Sequence, residues 1–248
     1  MRWRAAILAL LASGLVGCLG HGAGDERLAQ PTDVSVVPPT PTPSTKPPPT
    51  PDLSDPGYVT NATWHVGDAW DYETSSGHAR TIRVVREAQV GNATFFVTQE
   101  TEGVAGSTPR ASYSRWIDAS NWTVANLTDS HGFQTTYSPR LPDRVLRNSS
   151  YQYNQTYPGE TDAVYANVLY TGRPSVTLPW GEVLQAARFE HRMVEVFPDK
   201  SQQRIFAVHV FSADYGNDLS YQIGEQAEVY NLVAVRYGEK SHGSLLPG

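Results

Sequence analysis

The sequence predicts an all-β domain, a single antiparallel and strongly curved sheet, half-barrel-like, of about ten to twelve strands, following a proline-rich stalk. Three observations lead there. Segments in which apolar and polar residues alternate recur from "ARTIRVVREAQV" to "EVYNLVAVRY". Turn-forming clusters, "SSGH", "DASN", "DSHG", "PGET", "PDKS", "DYGN" and "GEQA", punctuate them. Only Glu182 to Glu195 has the composition of a helix, and its alternation of Val183, Gln185, Ala187 and Phe189, then Val194 and Val196, reads at least as well as a pair of strands.

In chain order, Arg2 and Arg4 precede an apolar run that ends in Leu15-Val16-Gly17-Cys18. The run is too short to span a bilayer as a mature helix and has the charged start and small-residue end of a secretory signal over residues 1–17. It resembles the lipobox of secreted lipoproteins, which implies cleavage before Cys18 and lipid on its thiol. Cys18 is the only cysteine, so an internal disulfide and any multi-cysteine metal site are excluded. An ordinary signal that happens to end near a cysteine is the alternative. Without Arg2 and Arg4 the balance is 17 basic against 25 acidic side chains, about −8. That disfavours nucleic acid, whose binding needs basic side chains against phosphate.

Residues 18–56 form the lipidated start and linker: Pro31 to Pro56 holds ten of the eighteen prolines. Such a segment favours polyproline II and reaches up to about 80 Å at about 3.1 Å per residue. Six of nine asparagines, Asn61, Asn92, Asn121, Asn126, Asn148 and Asn154, stand in Asn-X-Ser/Thr with X not proline, and none follows Tyr157. Ser and Thr are about a sixth of the chain, so chance supplies one or two; the excess predicts N-glycosylation of an exported first half and a bare second half. The β domain is expected over 57–240, with 241–248 a flexible tail.

Within the domain the strands follow in order. "WHVGDAWDYE" opens it, with Trp70 and Tyr72 on one face and Asp71 and Glu73 on the other, solvated one. "ARTIRVVREAQV" turns at Gly91-Asn92 into "ATFFVTQE". "ASYSRWID", "WTVANLT", "GFQTTYS", "SYQYNQTY" and "AVYANVLYTG" continue the meander, and "SPRLPDRVLRNSS" is the longest irregular stretch, placed to cover one mouth of the sheet. "SVTLPW", "EVLQAARFEHRMVEVF", "QRIFAVHVFSAD", "DLSYQIG" and "EVYNLVAVRY" complete it.

Short catalytic signatures are absent: no Gly-X-Ser-X-Gly elbow, phosphate-cradling Gly-rich loop, dinucleotide fingerprint or His-Glu-X-X-His occurs. No cofactor and no metal site are expected. His209 alternates with Ile205, Ala207 and Phe211, as a core or cavity-wall histidine does, and Asp214 to Asp218 reads as a hairpin turn rather than a calcium loop. The carboxylates Asp71 with Glu73, or Glu190 with Glu195, read as solvated outer-face residues. Aromatic rings are the stronger signal. Trp70, Tyr72, Trp116, Trp180 and Phe211 are the candidate ligand-contacting residues, since such rings either fill a core or line a groove for an apolar ligand or a sugar.

"WHVGDAWDYE", "VTLPWGEVLQAARFE" and "VFSADYGNDLSYQIGEQAEVYNLVAVRYGEK" together resemble exported proteins built on the lipoprotein-carrier (Lol-type) half-barrel. Such chains open with a Val-Gly-Asp-X-Trp-X-Tyr strand, carry a Pro-X-Gly turn before a strand pair and close on two strands after an aromatic-rich turn. The resemblance implies a sheet around an apolar cavity that accepts lipid or acyl chains without catalysis. Phe211 stands where the closing strand often has Trp.

The expected function is that of a non-enzymatic lipoprotein anchored to the outer face of the cell membrane, binding a hydrophobic or amphipathic ligand or an envelope partner. A carbohydrate-binding or glycan-active surface protein, recognisable by exposed coplanar tryptophans, and a purely structural envelope component are the alternatives. One acyl chain binds a membrane only marginally, whereas two hold stably at about 0.8 kcal/mol per buried methylene. Cys18→Ser is therefore expected to move the protein from the membrane fraction to the medium; an unchanged membrane-bound fraction would refute lipidation.

Overall fold

The computed structural model describes residues 62–246. Cys18, residues 1–17 and 18–56, and the sequon at Asn61 lie outside the described residues. The domain is all-β. β1 (Ala69–Glu73), β2 (His78–Val90), β3 (Ala93–Val104), β4 (Ala111–Asp118), β5 (Thr123–Asp129), β6 (Gln134–Pro142), β7 (Ser149–Tyr157) and β8 (Glu160–Gly172) form an antiparallel meander. A short hairpin of β9 (Ser175–Thr177) and β10 (Val183–Gln185) leaves the sheet. β11 (Ala187–Val196), β12 (Gln202–Ser212), β13 (Asn217–Ile223), β14 (Val229–Tyr237) and β15 (Lys240–His242) return to it. The stretch Glu182 to Glu195 is thus a pair of strands.

The predicted curvature goes to completion. β1 pairs with β14 from Ala69↔Arg236 to Glu73↔Asn231, so the first and last long strands meet and the sheet closes into a barrel. An open sheet of this width would leave two rows of unpaired backbone groups, which closure removes. Register shifts supply the bending: they fall at Asp71/Tyr72, Val84/Arg86, Trp116/Ile117, Val124/Asn126, Arg188/Phe189 and Val210/Phe211. An extra residue on one strand increases local twist and turns it inward.

Side chains alternate accordingly. Trp70 and Tyr72, Ile82, Phe96, Tyr113 and Ile117, Leu127, Tyr137, Tyr153, Val164, Met193, Ile205, Tyr221 and Leu232 belong to one buried cluster inside the barrel. Aromatic rings dominate because the interior of a wide barrel is deeper than aliphatic side chains fill. The β9–β10 hairpin folds back onto the wall, and its Leu178 and Ala186 join the same cluster with Val210.

Both ends of the described segment are tied to the barrel. Residues expected in the flexible tail add β15 to β14, and the backbone N–H of Leu246 donates to Asp71 at 2.6 Å. The starts of β1, β3, β5, β7, β11 and β13 lie at one end of the barrel, which the residues after β6 cover; of "SPRLPDRVLRNSS", expected to be irregular throughout, Ser138 to Pro142 pair within β6 and the last two serines begin β7, so only Asp143 to Asn148 is irregular. There the Gly216 carbonyl accepts from Trp64 Nε1 at 2.8 Å and from Arg144 Nη1 at 2.9 Å. Gly216 follows a 3-10 turn (Ala213–Tyr215) with φ of +68°, and an added Cβ would stand 2.4 Å from the Tyr237 ring. Gly216→Ala combines left-handed strain with that clash and is expected to destabilise the barrel by about 2 kcal/mol or more. Urea unfolding checks this; an unchanged midpoint would show that this end does not hold the fold.

Candidate functional site

The interior is not simply apolar. Alternation on β2, β3 and β4 places Arg80, Glu100, Glu102, Tyr113 and Arg115 on the same inward face as Ile82, Phe96 and Ile117. Glu100 sits between two guanidiniums: Arg80 donates to one carboxylate oxygen, and Arg115 Nε donates to the other at 2.5 Å. Thr98 adds a third donor at 3.0 Å. Arg115 Nη1 reaches onward to Asp143 at 2.6 Å, so the chain of ion pairs runs from β2 through β3 and β4 to the stretch after β6.

Arg144, the next residue, plugs the covered end. Its guanidinium lies 4.3 Å from the Trp64 ring centroid, 4.6 Å from Trp122 and 5.4 Å from Phe211. Aromatic faces attract a cation most where water is excluded. The cage also explains Trp122, a non-glycine residue held at φ of +56° with its ring edge-on to Trp64 at 5.0 Å. On the opposite wall His209 Nδ1 lies 2.7 Å from Asp218 Oδ2, and its ring centroid is 4.9 Å from that of His191.

Burial sets the charges. It would raise the Glu100 carboxyl, but Arg115 and Arg80 outweigh it and hold the group below its ordinary value. Burial pushes Glu102 up to about 8, with Arg80, 3.9 Å away, offsetting it only in part. Burial, and then His209, hold the His191 imidazole well below its ordinary value. Breaking a buried ion pair from one side costs about 3–5 kcal/mol, because the remaining charge is stranded. Chemically the arrangement is a rigid, nearly neutral polar core. Several of its atoms have no hydrogen-bond partner, among them Arg80 Nε, Tyr221 Oη and His191 Nδ1.

The sequence-predicted aromatic residues separate into three settings. Trp70, Tyr72 and Phe211 are sealed in the interior: Trp70 Nε1 donates to the Tyr215 carbonyl at 2.7 Å and Tyr72 Oη to that of Asp218 at 3.0 Å. Trp116 is half-buried on the outer wall beneath Arg86, whose guanidinium is 4.8 Å from its ring. Trp180, in the β9–β10 turn, is half-buried and stacked on His242 at 4.6 Å. The structure does not bring the five to one groove, and the tryptophans are not a coplanar exposed set. Trp122 is buried as well.

Asp71 departs from the expected solvated face. It points outward, as alternation requires, yet it is 0% exposed, because Arg83 pairs with it at 2.5 Å and the segment at Leu246 lies over it. Glu195 is likewise buried, pointing inward on β11. Asn92, Asn121, Asn148 and Asn154 are exposed, while Asn126, beside Trp116 on the next strand, is only half-exposed with its Oδ1 buried. Asn121 Oδ1 accepts from both the backbone N–H and the hydroxyl of Thr123, at 3.1 and 2.6 Å.

Sequence reasoning missed the ion-pair chain. The signal was available in parity: Arg80 is two residues from Ile82, and Glu100 four from Phe96, so each shares a strand face with a core residue.

No family model matches the chain, and no curated protein matches it. Two solved structures are similar to it. One is a protein of Bacteroides fragilis NCTC 9343, assigned as exported and with a YmcC-like fold; it aligns at TM-score 0.46 and 11% identity over 71% of this chain and 98% of its own. The other, from Parabacteroides distasonis ATCC 8503 and assigned as a lipoprotein, aligns at TM-score 0.44 and 8% identity over 71% of this chain and 100% of its own. At these values neither carries weight for the function of this chain.

The Glu102 carboxyl gives a pH prediction. Its folded value, about 8, lies above the ordinary 4.5, so between the two the folded state keeps a proton that the unfolded chain has lost. Stability from this group is complete below the ordinary value and falls as pH rises through the folded one, by at most about 1.4 kcal/mol per pH unit. His191 acts in the opposite sense, but only below about 6.5. The thermal stability of the wild type is therefore expected to fall from about pH 6.5 to 8, and Glu102→Gln, neutral throughout, to make that decline shallower, leaving the share of Glu195, raised to about 7. Parallel curves for the two would refute the assignment.

Proposed function

We propose that the chain is an exported protein held to the outer face of the cell membrane by lipid on Cys18, with residues 18–56 as spacer and the barrel as a docking module for an envelope partner. The observation that carries the docking part is the distribution of sequons over the barrel. All five described ones lie on β5, on β7 or in the turns and loops from the β2–β3 turn to the start of β7. The wall formed by β8 and β11 to β14 has none, and it exposes Tyr165 and Leu169 on β8 beside the charged outer face of β11. A glycan on each exposed sequon would leave β11 to β14 as the accessible side, since Asn148 and Asn154 stand beside β8.

An outer docking surface accounts for the interior better than uptake of an acyl chain does. The space between the strands holds guanidiniums, carboxylates and interlocked rings, and desolvating such groups against hydrocarbon is costly. The test is to add a sugar to the bare wall. Arg192→Asn with Val194→Thr creates a sequon on the outward face of β11, where Arg192 is exposed. In the native host, glycosylation there is expected to abolish crosslinks between the barrel and its envelope neighbours, whereas the natural sequons support them. Crosslinks that survive a fully occupied new glycan would refute docking on this wall.

A further inference from the structure

We infer that the sugar carried by Asn154 lies back on the barrel wall, its first residue seated in a groove between β6, β7 and β8 with one face against the Tyr165 ring. The inference rests on the reading of the sequons as glycosylated and adds where one of the sugars goes. Asn154 points outward from β7, and its register partners on both sides are small: Ser138 on β6 and Ala163 on β8. β6 and β7 pair no further than Ser138↔Asn154, so toward the covered end the two strands part beside Pro139. Small neighbours and parting strands leave a groove whose lining includes Ser138, Pro139, Gln152, Asn154, Ala163 and Tyr165. It holds about 280 Å³, part of it open to solvent. Pockets for drug-sized ligands run to about 300–1,000 Å³, so this one suits a single sugar residue and not an oligosaccharide.

Two further observations single out Asn154. Tyr165 is the register partner of Gln152, so it stands diagonally across from Asn154 on the same outward face. Such diagonal neighbours lie about 7–8 Å apart, within reach of a ring and of a group attached to the asparagine. The Tyr165 side chain is 40% exposed in the middle of a strand. A pyranose presents a face of C–H groups that packs on an aromatic ring, and the contact removes apolar area of both from water. The Asn154 amide is also free to turn toward the groove. Among the described residues no hydrogen bond holds it, whereas Asn121 Oδ1 accepts from Thr123 and Asn148 Oδ1 from the backbone N–H of Tyr170 at 2.7 Å. The exposed Gln152 amide and Ser138 hydroxyl stand at the rim, where sugar hydroxyls need partners. A sugar seated in this way covers Tyr165 and directs the glycan over β8, away from the sequon-free strands β11 to β14.

The test combines site-resolved mass spectrometry with thermal unfolding of the full chain purified from its native host. Asn154 is expected to carry sugar, and Asn154→Gln to lower the unfolding temperature by about 2 °C or more. In a Tyr165→Thr background the same loss of sugar should shift it by less than half as much, whereas Tyr165→Phe, which keeps the ring, should retain the full effect. Asn92→Gln, at the β2–β3 turn, should have the same effect in all three backgrounds. Chain made without glycosylation separates the sugar from the side chain: there Asn154→Gln should leave the unfolding temperature unmoved, because the amide has no partner to lose. An Asn154 without sugar in the native host would overturn the glycosylated reading of this sequon and the seat with it. Sugar on Asn154 that brings no stabilisation, or brings it equally in Tyr165→Thr, would overturn the seat alone.

Discussion

Glu100, held between Arg80 and Arg115 inside the barrel, is the contact on which the rest of the interior depends. Closing so many strands into one sheet pairs β1 with β14 but encloses a space that valine and leucine are too short to fill. Long guanidinium side chains and aromatic rings cross that space. Once charges are inside they must be paired, and Glu100 pairs two of them at once, while Asp143 carries the series to the chain that covers the end. The core is therefore organised by electrostatics as much as by apolar burial.

The same logic explains the covered end. Arg144 is surrounded by the rings of Trp64, Trp122 and Phe211 and donates to the Gly216 carbonyl, so residues distant in sequence meet at one cation. Backbone that would strain a larger residue is tolerated there because packing on several sides holds it. The opposite end is built differently, from carboxylates and an amide near the turns of β7, β8 and β11. Arg144, sealed by rings, closes the end at which β1 begins, and Gln155, Asp162 and Glu195 stand at the far one.

Much of the architecture was legible because strand alternation is a local property. The succession of strands, the reading of Glu182 to Glu195 as strand pairs and the inward placement of Trp70 and Tyr72 follow from period-two patterning and turn residues alone. The covering residues Asp143 to Asn148 lie within the longer segment expected to be irregular, whose flanks, Ser138 to Pro142 and Ser149 with Ser150, pair as strand instead. The polar core was not recognised, although Arg80 and Glu100 occupy inward parity, because a charged residue alternating with apolar ones is ordinarily the sign of a solvated face. Asp71 shows the converse: its parity is outward and its burial comes from Arg83 and from the chain near Leu246, far away in sequence.

By itself the sequence determined that the domain is built from antiparallel strands, that its sequons lie in the first half and that it has one cysteine, placed after a signal-like run. Those are properties of neighbouring residues and of composition. Only the tertiary structure decided that the sheet closes on itself, that its aromatic residues are interlocked rather than gathered in a groove, and that arginines and acids are paired within it. Closure depends on bulges accumulated over the whole sheet, and the pairing of a buried charge depends on which strands become neighbours across the barrel. Neither is encoded in any short stretch of the chain.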